Sequence, residues 1–105
     1  MRSNLSVNEQ LPRIRVDFNE LIGSDLVLLA KSDIVECNDG HQLTLYPGMN
    51  VIAFEYNIYA DSTTECLFVQ GKVERNYPAI NGEWTRNALW CCRFADKVQS
   101  SDSMV

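Results

Sequence analysis

The closely spaced tight turns constrain this chain more than any other feature. Asn38-Asp39-Gly40 and Tyr46-Pro47-Gly48 stand a few residues apart, and each bounds a short apolar run. Asn-Asp-Gly tolerates the positive φ that a tight hairpin demands. Pro47 pre-sets φ at one turn position, and Gly48 supplies a positive φ at the next. Runs this short leave no room for a helix with an apolar stripe. Residues 26–73 therefore read as short strands joined by turns.

The flanking segments extend this pattern. Residues 13–18 alternate charged and apolar, which predicts a half-buried strand with Ile14, Val16 and Phe18 inward. Residues 26–37 form a second strand, apolar on both faces in its first half and hence central. Further strands are expected over 41–46, 49–59, 66–76 and 84–94, with a polar turn at 61–64. Gly71 inside a strand marks a bulge or a bend at a corner. The expected core is Val16, Phe18, Leu28, Ile52, Phe54, Leu67, Val69 and Trp90. Residues 1–105 read as one domain, with poorly ordered ends at 1–11 and 96–105. The expected fold is all-β: a small, partly open antiparallel barrel of five to six strands. Leu45-Tyr46-Pro47-Gly48-Met49-Asn50-Val51 resembles the turn into a strand of SH3-like barrels. That resemblance implies a fold and carries no function.

Charge narrows the function classes. The chain has a formal net charge of -5 and a pI near 4.7. A phosphate-backbone binder needs clustered Lys and Arg, so nucleic acid is not an expected partner. An anionic membrane surface is disfavoured for the same reason. The charge is also uneven. Residues 1–15 carry a net +2, residues 16–66 a net -8, and residues 67–105 a net +1. An acidic middle either keeps a small protein soluble or steers a basic partner.

Four cysteines, Cys37, Cys66, Cys91 and Cys92, accompany a single histidine, His41. The N-terminal residues lack the apolar core of a signal peptide, so a cytoplasmic protein with reduced thiols is expected. Cys37, His41, Cys66 and one of Cys91 or Cys92 offer soft ligands for zinc, yet no Cys-x-x-Cys pair is present. Cysteine also packs as a small hydrophobe, which needs no metal. A nucleophilic Cys37 with His41 as base is the thiol alternative. The acids near Asp17 and Asp33 could serve a hard cation or acid-base work, but no Ca²⁺-loop pattern appears. No phosphate-binding glycine loop, serine elbow or His-Glu-x-x-His is present.

These observations lead to a non-enzymatic module that binds a basic protein, with no catalytic residue and no cofactor. An immunity-type inhibitor of a basic toxin domain is one version. The expected binding residues are Asp33, Glu36 and Asp39 on the first hairpin, backed by Asp17, Glu20 and Asp25 on the first loop; the alternative site is the Tyr77–Trp84 loop beside the Asn81-Gly82 turn, with Trp84 as an aromatic anchor. Charge reversal at Asp33 and Glu36 is expected to leave folding nearly untouched. Two alternatives stand beside this reading. One is a small metal- or thiol-dependent enzyme using Cys37, His41 and nearby acids. The other is a homo-oligomer built through an edge strand.

Overall fold

Turn chemistry sets the outline. Gly40 at φ 90° and Gly48 at φ 86° both adopt the left-handed conformation that the turns require. The computed structural model describes residues 11–101, so the ends at 1–10 and 102–105 lie outside the described residues. The strands are β1 (Arg13–Arg15), β2 (Leu21–Ile22), β3 (Leu26–Ala30), β4 (Ile34–Glu36), β5 (Gln42–Thr44), β6 (Asn50–Ile58), β7 (Thr64–Arg75), β8 (Trp90–Arg93) and β9 (Gln99–Ser101). A four-residue helix, α1 (Pro78–Asn81), and a 3-10 turn, Glu83–Thr85, join β7 to β8. No described helix is long and apolar enough to cross a membrane.

The protein is all-β, and its main sheet is open. Seven strands form one sheet in the order β1-β6-β7-β8-β3-β2, with β9 added to β7. β4 and β5 form a separate hairpin around the Asn38-Asp39-Gly40 turn, with Val35 opposite Leu43. Long β7 joins the two ends of the sheet. It pairs with β6 over most of its length, with β9 near its start and with β8 near its end.

Two cross-strand rows build the core. Ile14, Ala53 and Val69 stand opposite one another on β1, β6 and β7. Val27, Cys92 and Val73 do the same on β3, β8 and β7. All six are buried in one cluster with Val16, Phe18, Val51 and Trp90. Neighbours of this kind on one face are the unit of sheet stabilisation.

Several expectations are corrected. Residues 26–37 are two strands in different sheets, because the polar Lys31-Ser32-Asp33 step breaks the run. β1 pairs with β6 in parallel, so the sheet is not purely antiparallel. The polar tail is structured at Gln99–Ser101, where backbone pairing with β7 needs no apolar side chain. Leu28, Ile52 and Leu67 are only half-buried. On β6 the inner face carries Val51 and Ala53, while Phe54 is buried on the opposite face. Small residues win the inner face because β8 passes very close there. A Cβ placed on Gly71, opposite Val51, would stand 2.5 Å from Cys92 Sγ.

Candidate functional site

The most exposed tryptophan sits on a rigid mount. Gly82 holds φ at 118°, which turns the chain from α1 into the 3-10 turn. Asn76, buried at the end of β7, ties the whole connection together. Its amide nitrogen donates to the Thr85 and Ala88 carbonyls at 2.9 Å each, and its amide oxygen accepts from Asn81 Nδ2 at 2.8 Å. Thr85, itself buried, donates its hydroxyl to the Gly82 carbonyl at 2.7 Å. A buried polar network that is fully satisfied fixes one conformation. Trp84 is carried on this mount with 58% of its surface exposed.

Trp84 shares a groove with two of the expected acids. A hollow of about 380 Å³ is lined by Asp17, Glu20, Leu28 and Trp84, with Arg15 and Lys31 beside them. Asp17 accepts from the Asn19 amide at 2.9 Å and so shapes its own loop. Among the described residues, neither Asp17 nor Glu20 forms an ion pair within 4.0 Å. The sequence treats the loop acids and the aromatic segment as rival sites, and the fold makes them neighbours.

The other acids are placed differently. Asp25 pairs with Arg93 at 3.2 Å, and Arg93 also holds Glu74 at 2.8 Å. Asp33 accepts from Trp90 Nε1 at 2.9 Å and lies 3.9 Å from Arg75. The hairpin acid is thus tied to the core, which removes the ground for expecting its reversal to leave folding nearly untouched. Asp39 accepts from the His41 amide at 3.0 Å, and that bond with its imidazole contact lowers its carboxyl pKa. Glu36 faces a different hollow, with Arg13 and Arg15. The six acids therefore do not form one surface.

The thiol positions have distinct chemistry. Cys37 is buried while the His41 side chain is 85% exposed, its Nδ1 being 3.0 Å from Asp39. Burial, and then the Asp39 charge, raise the Cys37 pKa. Burial likewise pushes Cys91 up to about 11 and Cys92 up to about 12. Cys66 is raised by burial and pulled back by the Arg13 charge. Raised thiols hold little thiolate and are weak nucleophiles. Among the described residues no three His, Cys, Asp or Glu side chains gather as a metal site. Alkylation of the native protein at mildly alkaline pH should modify half-buried Cys66 first, Cys37 more slowly, and Cys91 and Cys92 only on unfolding. Peptide mass mapping over time checks the order; native labelling of Cys92 at the Cys66 rate would contradict the burial of β8.

The chain matches no family model, and no curated protein or solved structure is significantly similar to it.

Proposed function

We propose that this protein is a non-enzymatic binding module whose partner is a basic protein. The observation that supports it is the exposed Trp84 indole, held on a hydrogen-bonded mount beside Asp17 and Glu20. Trp is enriched among residues that dominate binding energy, and a pre-ordered anchor loses little entropy on binding. Arg15 and Lys31 share the groove, so long-range steering comes from the wider acidic stretch 16–66, while Asp17 and Glu20 make the local contacts. In this reading the curved sheet acts as a partly open, SH3-like barrel that holds the loops still. The protein works in the cytoplasm, and an immunity-type inhibitor of a basic toxin domain is the version that best suits its charge and size.

The test compares wild type with Trp84→Ala and with Asp17→Lys/Glu20→Lys. A basic protein captured by the wild-type chain from the native host is titrated against all three at low and high salt. Trp84→Ala should weaken binding by about 2 kcal/mol, the level of a hot spot. The charge reversal should slow association and flatten its salt dependence. Equal binding by all three would overturn the reading. Sedimentation precedes the titration, because β6 offers an edge for self-pairing. Ile52 and Phe54 direct backbone groups toward β1, so Tyr56 and Ile58, two and four residues on, direct theirs to the same side beyond its end. Ile58 is 77% exposed. A dimer abolished by Ile58→Lys would replace the binding module with the homo-oligomer.

A further inference from the structure

The sheet's outer face gathers positive charge and aromatic rings in an acidic protein. β1 lies parallel to β6 with Arg13 opposite Ile52 and Arg15 opposite Phe54. Alternation along a strand puts Arg13 and Arg15 on one face, together with Ile52, Phe54 and Tyr56 of β6. Across β7 the same face continues through Cys66 and Phe68 to Ser101 and Gln99 of β9. This is the face turned away from the main core row of Ile14, Ala53 and Val69.

Two adjoining hollows open on it. One, of about 570 Å³, is lined by Arg13, Arg15, Glu36, Asn38, Phe54 and Tyr56. The other, of about 280 Å³, is lined by Arg13, Ile52, Tyr56, Cys66, Phe68 and Ser101. Arg13, Tyr56 and Cys66 belong to both, so the two run together. The first hollow is cationic at one wall, and the second is apolar and aromatic. The Arg15 guanidinium carbon lies 5.7 Å from the Phe54 ring centroid, and Phe54 meets Tyr56 edge to face at 5.9 Å. The stacked ring limits the freedom of the guanidinium.

Arg13 and Arg15 carry like charge two residues apart on β1, and no described carboxylate lies within 4.0 Å of either. Glu36 is the one acid lining the hollow. Every other described arginine, Arg75, Arg86 and Arg93, has an acid partner. Two like charges on one face with no acid within 4.0 Å leave donors free for an anion. Guanidinium groups bind phosphate through paired, charge-assisted hydrogen bonds. Tyr56 and Phe68 offer ring surface on which a flat base can lie, as in sites for unpaired bases.

We propose that this face binds a small aromatic phosphate of the nucleoside monophosphate class. Its phosphate lies between Arg13 and Arg15, and its flat ring lies over Tyr56 and Phe68 in the adjoining hollow. The net charge decides between a small anion and a nucleic acid. At physiological salt a charge is felt over about 8 Å, so a small anion senses mainly the two arginines. A long polyanion would also meet the acidic remainder of the chain.

The experiment is a titration of isotope-labelled protein with adenosine monophosphate, adenosine, inorganic phosphate and a single-stranded oligonucleotide, read by amide shifts and calorimetry. Adenosine monophosphate should shift the signals of residues 13–15, 54–56 and 66–68, and should bind more tightly than adenosine or phosphate alone. Arg13→Ala/Arg15→Ala should weaken it by at least about tenfold, the loss expected from even one hydrogen bond between charged groups. Arg13→Lys/Arg15→Lys keeps the charge and the fold but loses the paired geometry, and should fall between the two. No shift at residues 13–15, equal binding by the alanine variant while circular dichroism shows it folded, or equal affinity for phosphate alone would each overturn the proposal. Tighter binding of the oligonucleotide than of the monophosphate would also overturn it, in favour of single-stranded nucleic acid.

Discussion

Trp90→Ala should lower the unfolding free energy by about 3–5 kcal/mol, the cost of emptying a large aromatic site in a core. Trp90 is 4% exposed and pairs with Ala30 on one side and Arg75 on the other. The Arg75 guanidinium carbon lies 4.9 Å from its ring centroid, and its Nε1 donates to Asp33 at 2.9 Å. The indole thus fills the core with its ring and fastens the β3–β4 connection with its N–H. The two roles separate by mutation. Trp90→Phe keeps most of the ring and loses the hydrogen bond, and Asp33→Ala keeps the ring and removes the acceptor together with the exposed Arg75 contact. A hydrogen bond to a charged group is worth about 1.5–3 kcal/mol, and the exposure of Asp33 puts this one at the low end. The expected order of destabilisation is Trp90→Ala, then Trp90→Phe, then Asp33→Ala. Urea unfolding with a shared slope checks it, and an unchanged midpoint for Trp90→Ala would remove Trp90 from the core.

Features set by a few adjacent residues were legible in the sequence. Gly40 and Gly48 needed left-handed turns, and both occupy them. Ile14, Val16 and Phe18 alternate with charges, and all three are buried. Trp84, expected as an aromatic anchor, is exposed. Features set by distant residues were not. The parallel pairing of β1 with β6 joins segments with no turn between them to fix a register. β6 carries apolar side chains on both faces, so its bulkier ones suggested the wrong inner face. Which face holds small residues depends on the approach of β8, far along the chain. α1 is a single turn, too short to show a helical period.

The candidate site divides in the same way. Residue type marked the acids as available, but availability depends on partners elsewhere in the chain. Asp33 is engaged by Trp90 and Asp25 by Arg93, while Glu20 has no ion-pair partner among the described residues. Charge averaged over long segments hid Arg13 and Arg15. Their Arg-x-Arg spacing on a strand, set against alternating Phe54 and Tyr56, was a signal that could have shown one charged, aromatic face.

Gly71→Val should be the most damaging single change in the sheet. Gly71 stands in β7 where β8 passes, and a Cβ there would meet Cys92 Sγ at 2.5 Å and the Arg93 carbonyl oxygen at 2.6 Å. The sulfur can turn aside, but the carbonyl is backbone, so β8 itself must move. That movement strikes the register of Lys72 with Arg93 and Val73 with Cys92, through which β7 connects β6 to β8, β3 and β2. Overpacking a filled site costs about 1–3 kcal/mol, and more where backbone must shift. Gly71→Ala should reach the upper end of that range, and Gly71→Val should leave the protein largely unfolded at ambient temperature. A double-mutant cycle isolates the cause. Cys92→Ala removes the sulfur and opens space, so Gly71→Ala should cost less in that background. A remainder should persist, because the Arg93 carbonyl stays in place. Full rescue would assign the whole effect to the sulfur, and a wild-type melting temperature for Gly71→Ala alone would show that β7 and β8 do not approach so closely.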